Sequence, residues 1–180
     1  MDIIRSNSER INSLVDDLMT ISKIELGVVK IEKTALNIAD VFDHVLAILK
    51  AKAAEKSLFL KTDLPESRIT ISADRDKLIQ VLTNLVDNAI KFTEKGGVTL
   101  GARLENSKPI LYIEDTGVGI LEKHLPRLGE RFYRVDTARS RKMGGTGLGL
   151  AIVKHLVKAH GWHMQVESIQ GKGTRVKILI

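Results

Sequence analysis

Three stretches combine residue types that could do chemistry. The first is "NLVDNAIKFT", where Asn84, Asn88 and Lys91 recur at intervals of four and three. At about 100° per residue they fall within roughly 60° of one another on a single helix face. Leu78, Leu82, Leu85, Val86 and Ala89 take the opposite side. Amides in line are poor helix formers. Their oxygens, however, are hard neutral ligands suited to Mg²⁺ whose charge phosphates already balance. Lys91 would add a compact positive charge. A solvated polar stripe would carry the same spacing. The second stretch is "EDTGVGI", an acid at a strand end followed by Gly117 and Gly119. The Asp115 carboxylate could accept the exocyclic amine of a purine, with the glycines letting the base lie against the backbone. An ordinary Asp-Gly turn reads the same way. The third is "GGTGLGLAIVKH", a glycine run opening a helix near Leu148, whose N-terminal N–H groups could bind phosphate. Leu150 stands where a dinucleotide fingerprint needs its third glycine, and GxxxxGK[ST] does not occur. Between the second and third stretches lies the basic segment "ERFYRVDTARSRK", which reads as a mobile lid or as a solvated loop.

The surrounding pattern must hold these stretches in place. Helices are predicted over about 38–56, with Asn37 as N-cap, over 74–92, and from the glycine run to about 160. Strands are predicted at "VVKIEK", "SLFLKT", "RITIS", "GGVTLGARLE", "PILYIED", "HMQVES" and "TRVKILI", with a short helix over 122–128. Strand hairpins with separate helices indicate an α+β fold, a mixed sheet with helices on one face. Residues 1–27 read as one long helix. Ile4, Ile11, Leu18, Leu14 and Ile21 form an a/d stripe, Asn7 stands at one d position, and Gly27 is a natural stop. That helix could pack on its own domain or serve as one arm of a helical hairpin; the second is favoured because the remainder looks complete without it.

Composition excludes several classes. There are 0 cysteines, which removes disulfides, thiolate metal sites and a cysteine nucleophile. No apolar run approaches the ~18 residues of a membrane span, and no signal-peptide pattern is present. The net charge of +6 could suit nucleic acid, yet the basic residues are scattered and aromatics are only 4%. A polyphosphate pocket accounts for part of the excess, and no nucleic-acid partner is expected.

In order and spacing, these stretches resemble the ATP-binding domain of bacterial sensor histidine kinases, members of the GHKL superfamily. "NLVDNAIKFT" resembles the N box, "DTGVGI" the G1 box, "RFYRVD" the F box and "GGTGLGLAIVKH" the G2 box. "HLPRLGERFYRVDTARSR" is most similar to the phosphate-regulon sensor subgroup. The resemblance implies a Bergerat-type two-layer α/β sandwich over 28–180. It makes residues 1–27 the second helix of a truncated dimerisation and phosphotransfer hairpin. It implies ATP and Mg²⁺ as cofactors. Asn88 would ligate Mg²⁺, with Asn84 in support, and Lys91 would contact phosphate. Asp115 would bind the adenine amine, with Gly117, Gly119 and Ile120 around the base and Thr174 supporting Asp115 through water. Tyr133 would flank the base and Arg134 would reach the phosphates, while Gly145, Thr146, Gly147, Leu148 and Gly149 would close over them.

The resemblance further implies a phosphoacceptor-histidine helix, a response regulator and a homodimer through the N-terminal helix as partners of the parent protein. The domain itself would be cytoplasmic with no direct membrane contact, and the parent anchored in the inner membrane. Two departures sharpen this. Related ATPases such as type II topoisomerases keep a Glu four residues before the Mg²⁺-binding Asn; here Asn84 stands there, and an amide is no general base. The family's acceptor histidine precedes an acid, whereas His44, His124, His155, His160 and His163 precede Val, Leu, Leu, Gly and Met. This fragment is therefore expected to bind nucleotide without phosphorylating itself, and His155 and His160 to sit on or after a surface helix. The rivals are a GHKL-type ATPase acting as a clamp, a serine kinase of a regulatory protein, and a degenerate or purely dimerising module.

Overall fold

The computed structural model describes residues 11, 15, 17–23, 26–28, 30–135 and 146–180. The elements run β1 (Thr34–Asn37), α1 (Ile38–Glu55), β2 (Phe59–Asp63), β3 (Thr70–Ala73), α2 (Arg75–Phe92), β4 (Gly97–Glu105) and β5 (Lys108–Asp115). A 3-10 turn (Glu122–Arg127) follows, then α3 (Gly149–Ala159), β6 (His163–Ile169) and β7 (Gly173–Leu179). The main sheet has the order β2-β4-β5-β7-β6. Its β2–β4 pair is parallel and the rest antiparallel, so the sheet is mixed. β1 and β3 form a separate antiparallel pair. The predicted α+β class is therefore the observed one.

The first two helices form where caps and apolar spacing agree. The Asn37 side chain accepts the Ala39 N–H and starts α1; the Asp74 side chain accepts the Lys77 N–H and starts α2. One face of each is apolar. Phe42 and Val45 from α1, Leu78, Leu82, Val86 and Ile90 from α2, and Ile152 and Leu156 from α3 are all buried. They meet Val98 and Leu100 of β4, Leu111 of β5 and Ile178 of β7 in one core. With α1, α2 and α3 covering this face, the sheet's C-terminal hairpin and the end of α2 are brought side by side.

Two sequence expectations need correction. The strand expected at "VVKIEK" is displaced: pairing starts at Thr34, opposite Ala73, because alternation in "VVKIEK" has no partner strand to complete it. The short helix expected over 122–128 is present, as a 3-10 helix with Pro126 inside it. His160 does not lie on a surface: it is 2% exposed. Its Nδ1 stands 2.8 Å from Leu156 O, and its Nε2 accepts the Asp74 N–H at 3.2 Å. The ring is thus neutral, protonated on Nδ1, and stacked on Trp162 at 4.3 Å. It bolts the end of α3 to the start of α2.

Of the N-terminal stripe, Ile21 is buried in the domain core, whereas Ile11 and Leu18 are exposed. Ile4, Asn7 and Leu14 lie outside the described residues. Gly27 has φ +66°, as a helix stop requires.

Burial pushes the His160 pKa down, opposed in part by the bond to Leu156 O. The unfolded-state value is about 6.5. Below that pH the unfolded chain takes the proton before the folded one, so stability is full above it and falls with further acidification. The His160→Phe variant is expected to lose about 2 kcal/mol at pH 7.5 through its orphaned Asp74 N–H. Its Tm should also fall less steeply between pH 7.5 and 5.5 than that of the native chain. Thermal melts across that range check this; parallel slopes would show that another group carries the pH dependence.

Candidate functional site

The exposed edge of α2 forms one wall. Its C-terminal carbonyls are held by Lys56, whose ammonium donates to Ile90 O, Lys91 O and Thr93 O at 2.7, 2.9 and 3.1 Å. A cation here satisfies orphan acceptors and complements the helix dipole. Phe92 O instead accepts the Val118 N–H at 3.2 Å, which ties the helix end to the loop after β5. Asn88 lies one turn before Phe92 and Asn84 two turns before, a rise of about 12 Å from Asn84 to Phe92. At the Asn84 end, α3 begins: a Cβ added to Gly149 would stand 3.3 Å from Asn84 Oδ1. The edge therefore runs from a helix N-terminus at one end to the Asp115 loop at the other.

Among the described residues nothing bonds the half-buried Asn84 and Asn88 amides. Lys91 differs from expectation in its surroundings. Its ammonium stands 2.7 Å from Asp87 Oδ2, and Lys52 bonds the other oxygen of the same carboxylate. Burial alone would raise the Asp87 carboxyl, but the two lysines more than offset it and hold it below the usual range.

The second wall is the loop after β5. Asp115 Oδ1 accepts the Gly117 N–H at 2.8 Å and the Thr174 N–H at 3.3 Å. No described residue donates to Oδ2. Burial raises this carboxyl above its ordinary value, the two N–H donors pull it back, and the Glu114 charge adds to the rise; the net shift is upward. Gly117 is required by space, since a Cβ there would stand 2.5 Å from Phe92 O. Thr174 thus supports Asp115 through its own backbone N–H. Ile120 N–H donates to Ser168 Oγ at 2.8 Å, and Gly171 N–H to Val118 O at 2.8 Å. Gly119 packs on Ile169. The β6–β7 turn is therefore the back of this wall.

The segment before α3 supplies a third side. Thr146 Oγ1 accepts the Leu148 N–H at 3.2 Å and donates to Asp17 Oδ2 at 2.9 Å. Leu148 is buried, and among the described residues no side chain caps the first turn of α3, which leaves its N–H groups to face an anion. Gly147, at φ +78°, accepts the Phe132 N–H at 3.2 Å, and a Cβ on it would stand 3.4 Å from Arg134 Nε. Tyr133 bonds His124 Nδ1 at 2.6 Å and lies under the Arg127 guanidinium at 4.0 Å; no described contact joins it to Asp115. Gly145 lies outside the described residues.

The structure thus joins Asp115, Gly117, Gly119, Ile120 and Thr174 in one cluster, and sets Asn84 beside Gly149. Sequence reading missed Ser168 and Lys56. Ser168 could have been flagged as the polar residue that pairing places opposite Thr174; Lys56 carried no sequence signal, because its carbonyl partners are on another helix.

A half-buried carboxylate with an oxygen to which no described residue donates, neutral amides along a helix edge and the start of α3 are groups that a purine nucleotide could use. Residues 73–180 match the family described as "Histidine kinase-, DNA gyrase B-, and HSP90-like ATPase". The chain belongs to that family. Within it, this is a catalytic domain of the sensor-histidine-kinase type. Sensor histidine kinase WalK of Bacillus subtilis (strain 168) is 36% identical over 177 residues, 97% of this chain and 29% of that protein. The structure of full-length ShkA in complex with AMPPNP superposes with TM-score 0.87 at 29% identity, covering 99% of this chain and 37% of that one. The histidine kinase AdeS of Acinetobacter baumannii gives 0.79 at 27%, covering 96% and 79%. The chain thus spans under a third of the length of WalK. The relatives named do not speak for the phosphate-regulon subgroup. Among the described residues no helix of this ATPase-family domain is long and apolar enough to cross a membrane.

Proposed function

We propose that this chain is the MgATP-binding catalytic part of a two-component sensor kinase, and that it passes the γ-phosphoryl group to a histidine outside its own five. The reading rests on one observation above the others. Asp115 is fixed through Oδ1 by two backbone N–H groups, and no described residue donates to Oδ2, the acceptor an adenine amine needs. The α2 edge then leads the triphosphate toward the start of α3, where N–H groups and Thr146 receive it. Arg134 and Lys91 supply positive charge nearby, and Tyr133 flanks the base.

The donor set fits magnesium delivered with its nucleotide. Among the described residues no cluster of three His, Cys, Asp or Glu side chains could hold a metal, so the phosphates would bring most of the charge. Asn88, backed by Asn84, would hold Mg²⁺, which when bound neutralises phosphate charge. The protein's part is positioning and charge complementarity. Asn84 cannot take a proton from water, which favours transfer to a protein nitrogen over hydrolysis. Residues 1–27 are the second helix of the dimerisation hairpin and 28–180 the catalytic domain. The acceptor helix, the response regulator and a second copy are the partners, and the domain faces the cytoplasm.

The test is incubation with γ-labelled ATP and a separate hairpin polypeptide carrying a histidine-acid box. Acid-labile, base-stable label is expected on the hairpin and none on this chain. Steady hydrolysis without transfer would favour the clamp ATPase, and acid-stable label on a protein partner the serine kinase. Asn88→Ala is expected to weaken MgATP binding at least about ten-fold. It should affect ATP without magnesium far less, a contrast that calorimetry with and without chelator reads directly.

A further inference from the structure

Asp87 precedes Lys91 by one turn of α2, about 40° round the helix from it. Its two carboxylate oxygens serve different helices. Oδ2 takes the Lys91 ammonium at 2.7 Å, and Oδ1 accepts from Lys52, in the last turn of α1. Two ammonium groups against one carboxylate leave the row Lys52–Asp87–Lys91 with a single positive charge. The row is neither deep nor fully wet: the side chains of Asp87 and Lys91 are 22% exposed and that of Lys52 is 44% exposed. Charges in such a setting act on one another more strongly than in bulk water, and salt still weakens them.

The consequence falls on Lys91. A carboxylate in direct contact cancels most of an ammonium's field on a third charge further off. Lys52 undoes that cancellation, because it neutralises the same carboxylate from its other oxygen. Lys56 is also near this end of α2, but its ammonium is spent on the Ile90, Lys91 and Thr93 carbonyls. We propose that Lys52 is a positioning residue for the phosphate chain, acting through Asp87 to hold Lys91 at the amide edge with its charge effective there. Lys52 lies outside every stretch that resembles a box of the family, and it touches the site only through Asp87. Its effect is therefore one of charge balance, which a second substitution can restore. This rests on the proposed nucleotide reading of the site.

The experiment is calorimetric titration of the native chain and its variants with MgATP at low and high salt, with a thermal melt of each. Lys52→Met removes one cation from the row and should weaken binding about three-fold at low salt, and less at high salt. Lys52→Arg keeps the charge and should bind as the native chain does. Asp87→Asn removes the negative charge but keeps an oxygen for Lys91, so it should bind MgATP at least as tightly as the native chain. Lys52→Met combined with Asp87→Asn leaves the single positive charge of the native row and should recover the affinity that Lys52→Met alone loses. A merely structural Lys52 would give a loss that salt does not change and Asp87→Asn does not relieve, and that result overturns the proposal. So does a loss in Asp87→Asn as large as that in Lys52→Met, which would make the carboxylate a mechanical anchor alone. A native chain that does not bind MgATP sinks the nucleotide reading itself, whereas native binding with an unaltered Lys52→Met sinks only the role of Lys52.

Discussion

Asp115→Asn is expected to weaken MgATP binding by roughly a hundred-fold or more while Tm stays level or rises. The two halves have one cause. Asn keeps an oxygen, and the Gly117 and Thr174 N–H groups will orient it toward themselves, because both of them must have an acceptor. The NH₂ then occupies the position of Oδ2, where it faces the base edge. An adenine amine meets a donor in place of an acceptor, so a charged hydrogen bond is replaced by an unpaired donor on each side. The fold loses nothing comparable. Burial already raises the Asp115 carboxyl above its ordinary value. For an acid with a raised folded pKa, the ionised form at neutral pH is the less favoured one in the folded state. Its contribution to stability is fullest below the unfolded pKa and is lost as pH rises through the folded one. A neutral amide avoids that loss at pH 7. Calorimetry and a melt on one preparation decide it. Native affinity in the variant would remove Asp115 from the site, and a sharp fall in Tm would make the carboxylate structural.

The elements that sequence reading placed well were those whose signals are local. The Asn37 and Asp74 caps, the apolar faces of α1 and α2, and the turn between β4 and β5 each depend on residues within a few positions of one another. So did the Asp115 loop, since an acid ending a strand before two glycines leaves little choice of geometry. What failed depended on distant partners. The strand at 34–37 takes its register from β3. His160 is buried because Asp74, 86 positions away, needs an acceptor for its N–H. Ser168 is the clearest case. A lone serine in a strand says nothing until pairing sets it across from Thr174 and the β5 loop folds onto the turn.

Gly173→Ala is expected to show the opposite signature to Asp115→Asn, a loss of stability and binding together. Gly173 has φ +112°, where a side chain is strained, and a Cβ there would stand 1.9 Å from the main-chain oxygen of Asp115. The obstacle is backbone, so no rotamer change relieves it. Either β7 moves away from β5 or the turn rearranges, and the cost is about 3–5 kcal/mol. The displacement also has a direction. Gly173 O accepts from Ser168, and the next residue donates its N–H to Asp115. Moving this strand start therefore withdraws the group that holds the carboxylate in place, and nucleotide affinity falls even in the fraction that remains folded. Chemical denaturation gives the stability loss, and calorimetry at a temperature where the variant is folded gives the binding loss. If Gly173→Ala were to unfold more readily yet bind MgATP with native affinity once folded, the β6–β7 turn would be a support for the sheet alone and not the back wall of the site.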